Sequence, residues 1–185
     1  MNGVSAVGRA IGEGAQSQVF AVSECTVEKH TSCADIRVRR SAEREVLALR
    51  VLEGTDESEL DEGQGPILKL RQPVCRSEGS TLILRTERCE CNLRDLLRQM
   101  RQTRVHWRTR MSVTRVAART LARSLMRLHA CGLVHGDVCD TNVFIRSNGS
   151  MCLGDYGAVR LQTYPEAEQS NKDGADCAFL QRLSA

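Results

Sequence analysis

No apolar run in these 185 residues approaches the ~20 that a helix needs to cross a bilayer, which excludes a membrane-spanning protein. The stretch from Met1 to Gln16 holds no long apolar segment behind a basic start, which argues against a secretory leader. Asn2 stands where myristoylation needs a glycine, so that anchor is excluded as well. There are only three prolines, no internal repeat and no low-complexity tract. An apolar fraction of 41% is too high for a disordered chain, and the length suffices for one domain or one two-lobed unit. The nine cysteines are odd in number and none pairs at CxxC spacing; Cys89-Glu90-Cys91 is too tight for a zinc knuckle. Free thiols in a reducing, intracellular setting are the expectation, cytoplasmic or nuclear and a host cell included.

Lysine is scarce, three against 23 arginines, and charge is unevenly spread around a net of +3. Residues 1–66 carry 7 basic and 12 acidic side chains, residues 67–128 carry 15 and 4, and residues 129–185 carry 4 and 7. The basic middle block could meet phosphate, nucleic acid or an acidic protein. Arg115, Arg119, Arg123 and Arg127 recur every four residues and line one helical stripe, with Val116, Leu121, Leu125 and Leu128 free to face a core. A solvated helix face explains this stripe more simply than a nucleic-acid surface. Trp107 among Arg104, Arg108 and Arg110 could stack on a base, although a single Trp is more often packed. Nucleic acid is therefore not the expected partner.

Ala10 to Val22 reads as strand, tight turn, strand, and Thr26–His30 as a further β-prone stretch. Apolar spacing predicts a helix over 41–52, and the acidic, Gly-punctuated 54–65 a surface loop. Strands are expected over 67–70 and 81–84, and helices over 93–104 and 113–130, the second stopping at Cys131-Gly132. Short strands over 143–145 and 151–153 flank Ser147-Asn148-Gly149-Ser150, which is hairpin-turn chemistry. Strands with one helix, then helices, then a hairpin indicate an α+β fold.

Three motifs carry chemistry. Ile11-Gly12-Glu13-Gly14-Ala15-Gln16-Ser17-Gln18-Val19 places glycines in a turn between strands, where backbone N–H groups can approach phosphate. A dinucleotide fingerprint fits poorly, because Val19-Phe20-Ala21-Val22 looks like a strand and not a helix start. His135-Gly136-Asp137-Val138-Cys139-Asp140-Thr141-Asn142 sets a carboxylate and an amide five positions apart on a loop before a strand. The first can take a proton from a hydroxyl and the second can hold a metal. Gly154-Asp155-Tyr156-Gly157 offers a carboxylate at a hinge, suited to a metal ligand. Each alone could be an ordinary turn.

Together, a Gly-rich hairpin, a Lys, a helix bearing Glu, HxDxxxxN and DxG resemble the protein kinase signature set, with Asn142 and Asp155 thirteen residues apart around a hairpin. The resemblance implies a two-lobed kinase-like fold, with an N-terminal lobe over 1–90 and a partial C-terminal lobe over 91–185. It implies ATP and Mg²⁺, a protein substrate, and these roles: Lys29 on the phosphates, braced by Glu45 (or Glu43), Asp137 as base, Asn142 and Asp155 on the metal. Residues 11–19 would cover the nucleotide, and Leu84 would stand at the gatekeeper place. Tyr164-Pro165-Glu166 resembles the close of the activation segment, and 175–180 the start of a buried helix. The resemblance spans about residues 10–183 but roughly two thirds of a full kinase domain, so the C-terminal lobe is expected to be short; compact kinases of large DNA viruses are similar.

The departures bear on rate. Ser17 replaces the third glycine, and Tyr156 a Phe. Gly136 stands where Arg usually precedes the catalytic Asp, which removes the cation that reads a phosphorylated activation loop. Cys139 stands where a Lys usually steadies the γ-phosphate. The reading is an ATP-dependent Ser/Thr kinase; the alternative is a pseudokinase that binds nucleotide or a partner without transfer, and an RNA-binding module is a distant third. The sequence leaves the substrate and oligomeric state open.

Overall fold

The computed structural model describes residues 10–14, 16–54 and 66–162, with backbone only for 72–78. Its first half is a five-stranded antiparallel sheet, ordered β1-β2-β3-β5-β4, made from β1 (Ala10–Glu13), β2 (Ser17–Ala21), β3 (Thr26–Ser32), β4 (Leu70–Glu78) and β5 (Thr81–Glu87). Helix α1 (Ile36–Gly54) packs on it. After Glu87 come β6 (Cys91–Asn92), α2 (Leu93–Gln102), α3 (Trp107–Ala130) and β7 (Leu133–Val134). Then follow β8 (Val143–Ile145), β9 (Met151–Leu153) and β10 (Arg160–Leu161). Small sheets β6-β8-β9 and β10-β7 lie among these elements, and the class is α+β, as the order of motifs predicts.

Local chemistry explains where elements begin. Asp35 caps α1 through Oδ1, which accepts from the Arg37 amide at 2.7 Å, so the helix starts five residues before the expected Ser41. Asn92 caps α2 by accepting from the Asp95 amide at 2.9 Å. His106 Nδ1 does the same for Arg108 at 3.3 Å, and α3 therefore begins at Trp107, six residues before the expected Val113. The β8–β9 turn closes as expected, with Gly149 at φ +80 and Asn148 Oδ1 accepting from the Ser150 amide at 3.0 Å.

The expected strand over 67–70 is displaced. Ile67 makes only an isolated bridge to Leu153, and the strand proper starts at Leu70 and runs to Glu78. Its register shifts between Leu70 and Cys75, where Pro73 removes a donor; the sheet tolerates this because β4 is an edge strand.

One apolar core runs through the fold. It joins Val46, Leu49 and Leu52 of α1 and Leu84 of β5 to Leu121, Leu125 and Leu128 of α3, with Val143, Leu153 and Tyr156 beneath. The arginine stripe of α3 does not hold to its end. Arg115, Arg119 and Arg123 are exposed, but Arg127 is buried and its Nη2 donates to the Leu52 carbonyl at 2.7 Å, tying α3 to the end of α1. Val116, expected in the core, is 49% exposed, and Trp107 is also on the surface with Arg108 over its ring. No helix among the described residues is long and apolar enough to cross a membrane.

Candidate active site

Lys29 lies mid-way along β3, opposite Val19 of β2 and Leu84 of β5. Its Nζ reaches Glu45 Oε2 on α1 at 2.8 Å and Asp155 Oδ1 beyond β9 at 3.3 Å. Burial opposes the lysine's charge, but the two carboxylates outweigh it and hold its pKa above the ordinary value. Burial pushes the Glu45 carboxyl up, with the Lys29 charge opposing it. Glu43 is exposed on another side of α1, so Glu45 is the partner.

Asp155 is a non-glycine residue in the left-handed region, at φ 59. That turn aims its carboxylate at Lys29 while the next side chain, Tyr156, goes fully inside. The Tyr156 hydroxyl donates to the Leu153 carbonyl at 2.7 Å, and its ring lies 5.3 Å from that of His135. Burial drives the phenol's pKa well up, so it stays a donor.

The loop from His135 to Asn142 is joined to this segment at several points. Buried His135 donates from Nε2 to the Gly154 carbonyl at 3.1 Å, which leaves Nδ1 to accept the Asp137 amide at 3.3 Å; the pairing assigns the neutral tautomer. The Gly154 amide donates to the Asn142 carbonyl at 2.9 Å. Asn142 Nδ2 donates to the Asp137 carbonyl at 2.8 Å and to Asp137 Oδ2 at 3.1 Å. With its nitrogen so engaged, the oxygen of Asn142 is the atom left for a metal. Gly136 sits at φ +78, and a Cβ there would meet the Ala158 carbonyl oxygen at 2.7 Å. Only glycine lets the chain after Tyr156 lie so close to the loop.

Above Lys29, the β1–β2 turn closes with the Gly14 amide donating to the Ser17 carbonyl at 2.8 Å. Ile11 is 51% exposed, Gly12 and Glu13 border the same turn, and Gln18 and Val19 run back along β2. Ala15 lies outside the described residues, as do 164–166 and 175–180. Gln16 and Ser17 roof a cavity of about 220 Å³ whose walls include Lys29, Ser41, Glu45 and Asp155. Asp155 and Asn142 are hard oxygen donors and could hold Mg²⁺. Among the described residues no three of His, Cys, Asp and Glu converge, so such an ion would draw further ligands from water or a bound phosphate.

The structure thus brings Glu45 and Asp155 each into contact with Lys29, and Asn142 into contact with Asp137. Two features escape sequence reasoning. Ser41 of α1 donates from Oγ to the Gly157 carbonyl at 2.9 Å. Arg146 grips Glu87 with Nε at 2.8 Å and Nη2 at 2.7 Å, and reaches the Ile67 carbonyl at 2.9 Å. On β5, Leu84, at the expected gatekeeper place, pairs with Lys29 and is buried in the core.

Residues 5–174 match the family model described as the protein kinase domain. The chain belongs to the protein kinase family. It is similar to the serine/threonine-protein kinase of Suid herpesvirus 1 (strain Kaplan), 31% identical over 133 residues, which are 66% of this chain and 36% of that protein. It is also similar to the serine/threonine-protein kinase US3 homolog of Cercopithecine herpesvirus 9 (strain DHV), 39% identical over 54 residues, or 29% of this chain and 15% of that one. The chain therefore matches little more than a third of the length of the first of these relatives and about a seventh of the second.

Proposed function

We propose that this chain transfers the γ-phosphoryl group of ATP, with Mg²⁺, to a Ser or Thr hydroxyl of a protein substrate. The observation that carries the reading is Lys29 held between Glu45 at 2.8 Å and Asp155 at 3.3 Å, three elements meeting on one ammonium group. Lys29 would orient phosphate oxygens, and Glu45 would keep it extended into the cleft. Asp155 and Asn142 would hold Mg²⁺, which when bound neutralises charge developing on the phosphates. Asp137 keeps one carboxylate oxygen on Asn142 and has the other for the incoming hydroxyl. It takes that proton as the hydroxyl oxygen bonds to the γ-phosphorus and the bond to the β–γ bridging oxygen breaks. The two relatives, both serine/threonine-protein kinases by name, support Ser/Thr as acceptor.

Cys139 favours a second reading. Its thiol contacts Thr141 Oγ1 at 3.0 Å where the family's pattern has a lysine, so one cation for the γ-phosphate is missing. A nucleotide-binding pseudokinase would share every other feature. Labelled γ-phosphate transfer to generic basic and acidic proteins decides between them, with Asp137→Asn as control. Transfer that disappears in Asp137→Asn supports the kinase. Stabilisation by Mg·ATP without any transfer supports the pseudokinase, and neither effect at millimolar Mg·ATP would sink both.

A further inference from the structure

We propose that Ser41 is a positioning residue that fastens α1 to the Asp155-Tyr156-Gly157 turn and so sets the Lys29–Glu45–Asp155 contact. The proposal rests on the functional reading above and adds a residue to that site. Ser41 precedes Glu45 by four positions, so the two share a face of α1, one turn apart. Both face the same cavity. Glu45 reaches the turn indirectly, through Lys29, to the Asp155 side chain; Ser41 reaches it directly, at the Gly157 backbone, 2.9 Å away. Two attachments one helical turn apart fix rotation of α1 as well as its distance, which a single ion pair on a flexible lysine does not.

Two observations give the contact weight. A serine hydroxyl inside a helix ordinarily donates to the carbonyl three or four residues back. Ser41 has one hydroxyl proton, and it is directed to Gly157. On the other side, a Cβ on Gly157 would meet Ser41 Oγ at 2.6 Å and Asp155 Oδ1 at 3.6 Å. A side chain at Gly157 would therefore have to push the Ser41 hydroxyl out of this bond. Asp155, two residues earlier, is held at φ 59, a conformation that survives only where its surroundings fix it. Ser41 is one of those surroundings.

Ser41→Ala and Ser41→Thr test the idea. Alanine is the better helix former, so loss of α1 does not explain a defect in that variant. Threonine keeps the donor. In the ligand-free protein, amide hydrogen exchange over 154–162 should speed up about three- to tenfold in Ser41→Ala, as loss of one hydrogen bond implies, and return toward wild type in Ser41→Thr. Mg·ATP affinity should fall by a similar factor in Ser41→Ala alone, with affinity for ATP without Mg²⁺ much less changed. Equal exchange over 154–162 in wild type and Ser41→Ala would overturn the proposal whatever the nucleotide does. Faster exchange with undiminished Mg·ATP affinity would overturn the positioning role. A wild type that binds no nucleotide would instead sink the functional reading, and the exchange comparison alone would then decide the clamp.

Discussion

Replacing Lys29 by Met separates what the site does for folding from what it does for ligand. The substitution leaves Glu45, almost wholly buried, without its cation, and removing one partner of a buried pair costs about 3 kcal/mol. Lys29→Met with Glu45→Gln removes both charges, so urea unfolding should show much of that loss restored. The Mg·ATP-induced rise in Tm should be absent in the single and the double variant alike. Recovery of that shift in the double variant would mean that Lys29 acts only through folding. The glycines permit a second comparison at this scale. Gly132 and Gly136 both have positive φ, +67 and +78, but a Cβ at Gly132 meets open space while one at Gly136 strikes the Ala158 carbonyl. Gly132→Ala should cost about 1 kcal/mol, the left-handed penalty alone. Gly136→Ala should cost at least twice that, and equal costs in urea titration would show that the chain near Ala158 yields freely.

Among the elements, legibility followed the range of the interactions. The β1–β2 turn, the β8–β9 hairpin and α2 were readable because turn glycines and apolar spacing act over a few residues, and so were Lys29, Asp137, Asn142 and Asp155, which sit at motif positions. The early start of α1 rests on one cap at Asp35, and its first five residues, exposed Ile36 and three arginines around the buried Val38, show little apolar spacing. β4 was hidden by Pro73 and by a polar stretch that alternation does not reveal. Ser41 and Arg146 were illegible for a different reason: their partners lie 116 and 59 residues away, and nothing local marks either. The Arg146–Glu87 brace has a pH signature. Burial would raise the Glu87 carboxyl, yet hydrogen bonds from Arg146 and the Lys69 amide bring it below the ordinary 4.5. A depressed folded value means the contribution is present above pH 4.5 and is lost as pH falls through the folded value. Glu87→Gln should therefore cost about 2 kcal/mol at neutral pH, the scale of a charged hydrogen-bonded pair, and progressively less as pH is lowered below 4.5. A deficit independent of pH would show that the charge of Glu87 is not what the brace uses.

For the molecule as a whole, the decisive property is the set of backbone contacts that ties the segment after Asp155 to the rest of the cleft. Kinases with Arg before the catalytic Asp use that cation to bind activation-loop phosphate, which orders the segment. Gly136 supplies no cation, and backbone contacts take over the task. Arg160 and Leu161 pair with Val134 and Leu133, the Gln162 amide donates to the Gly132 carbonyl at 2.7 Å, and Val159 is buried beneath. With Ala158 against Gly136 and Gly157 against Ser41, the segment from 155 to 162 is anchored along its length by contacts that need no modification. Ordering that is built into the fold leaves a phosphate clamp little to add. Transfer activity should accordingly be constitutive and unchanged by phosphatase treatment of the purified protein, measured in one assay with treated and untreated samples side by side. A large fall after dephosphorylation would show that the anchoring is too weak to hold the segment alone. A Gly136→Arg variant should not bring the proposed transfer under phosphate control but should lower it, because the new side chain begins where the Ala158 carbonyl already lies.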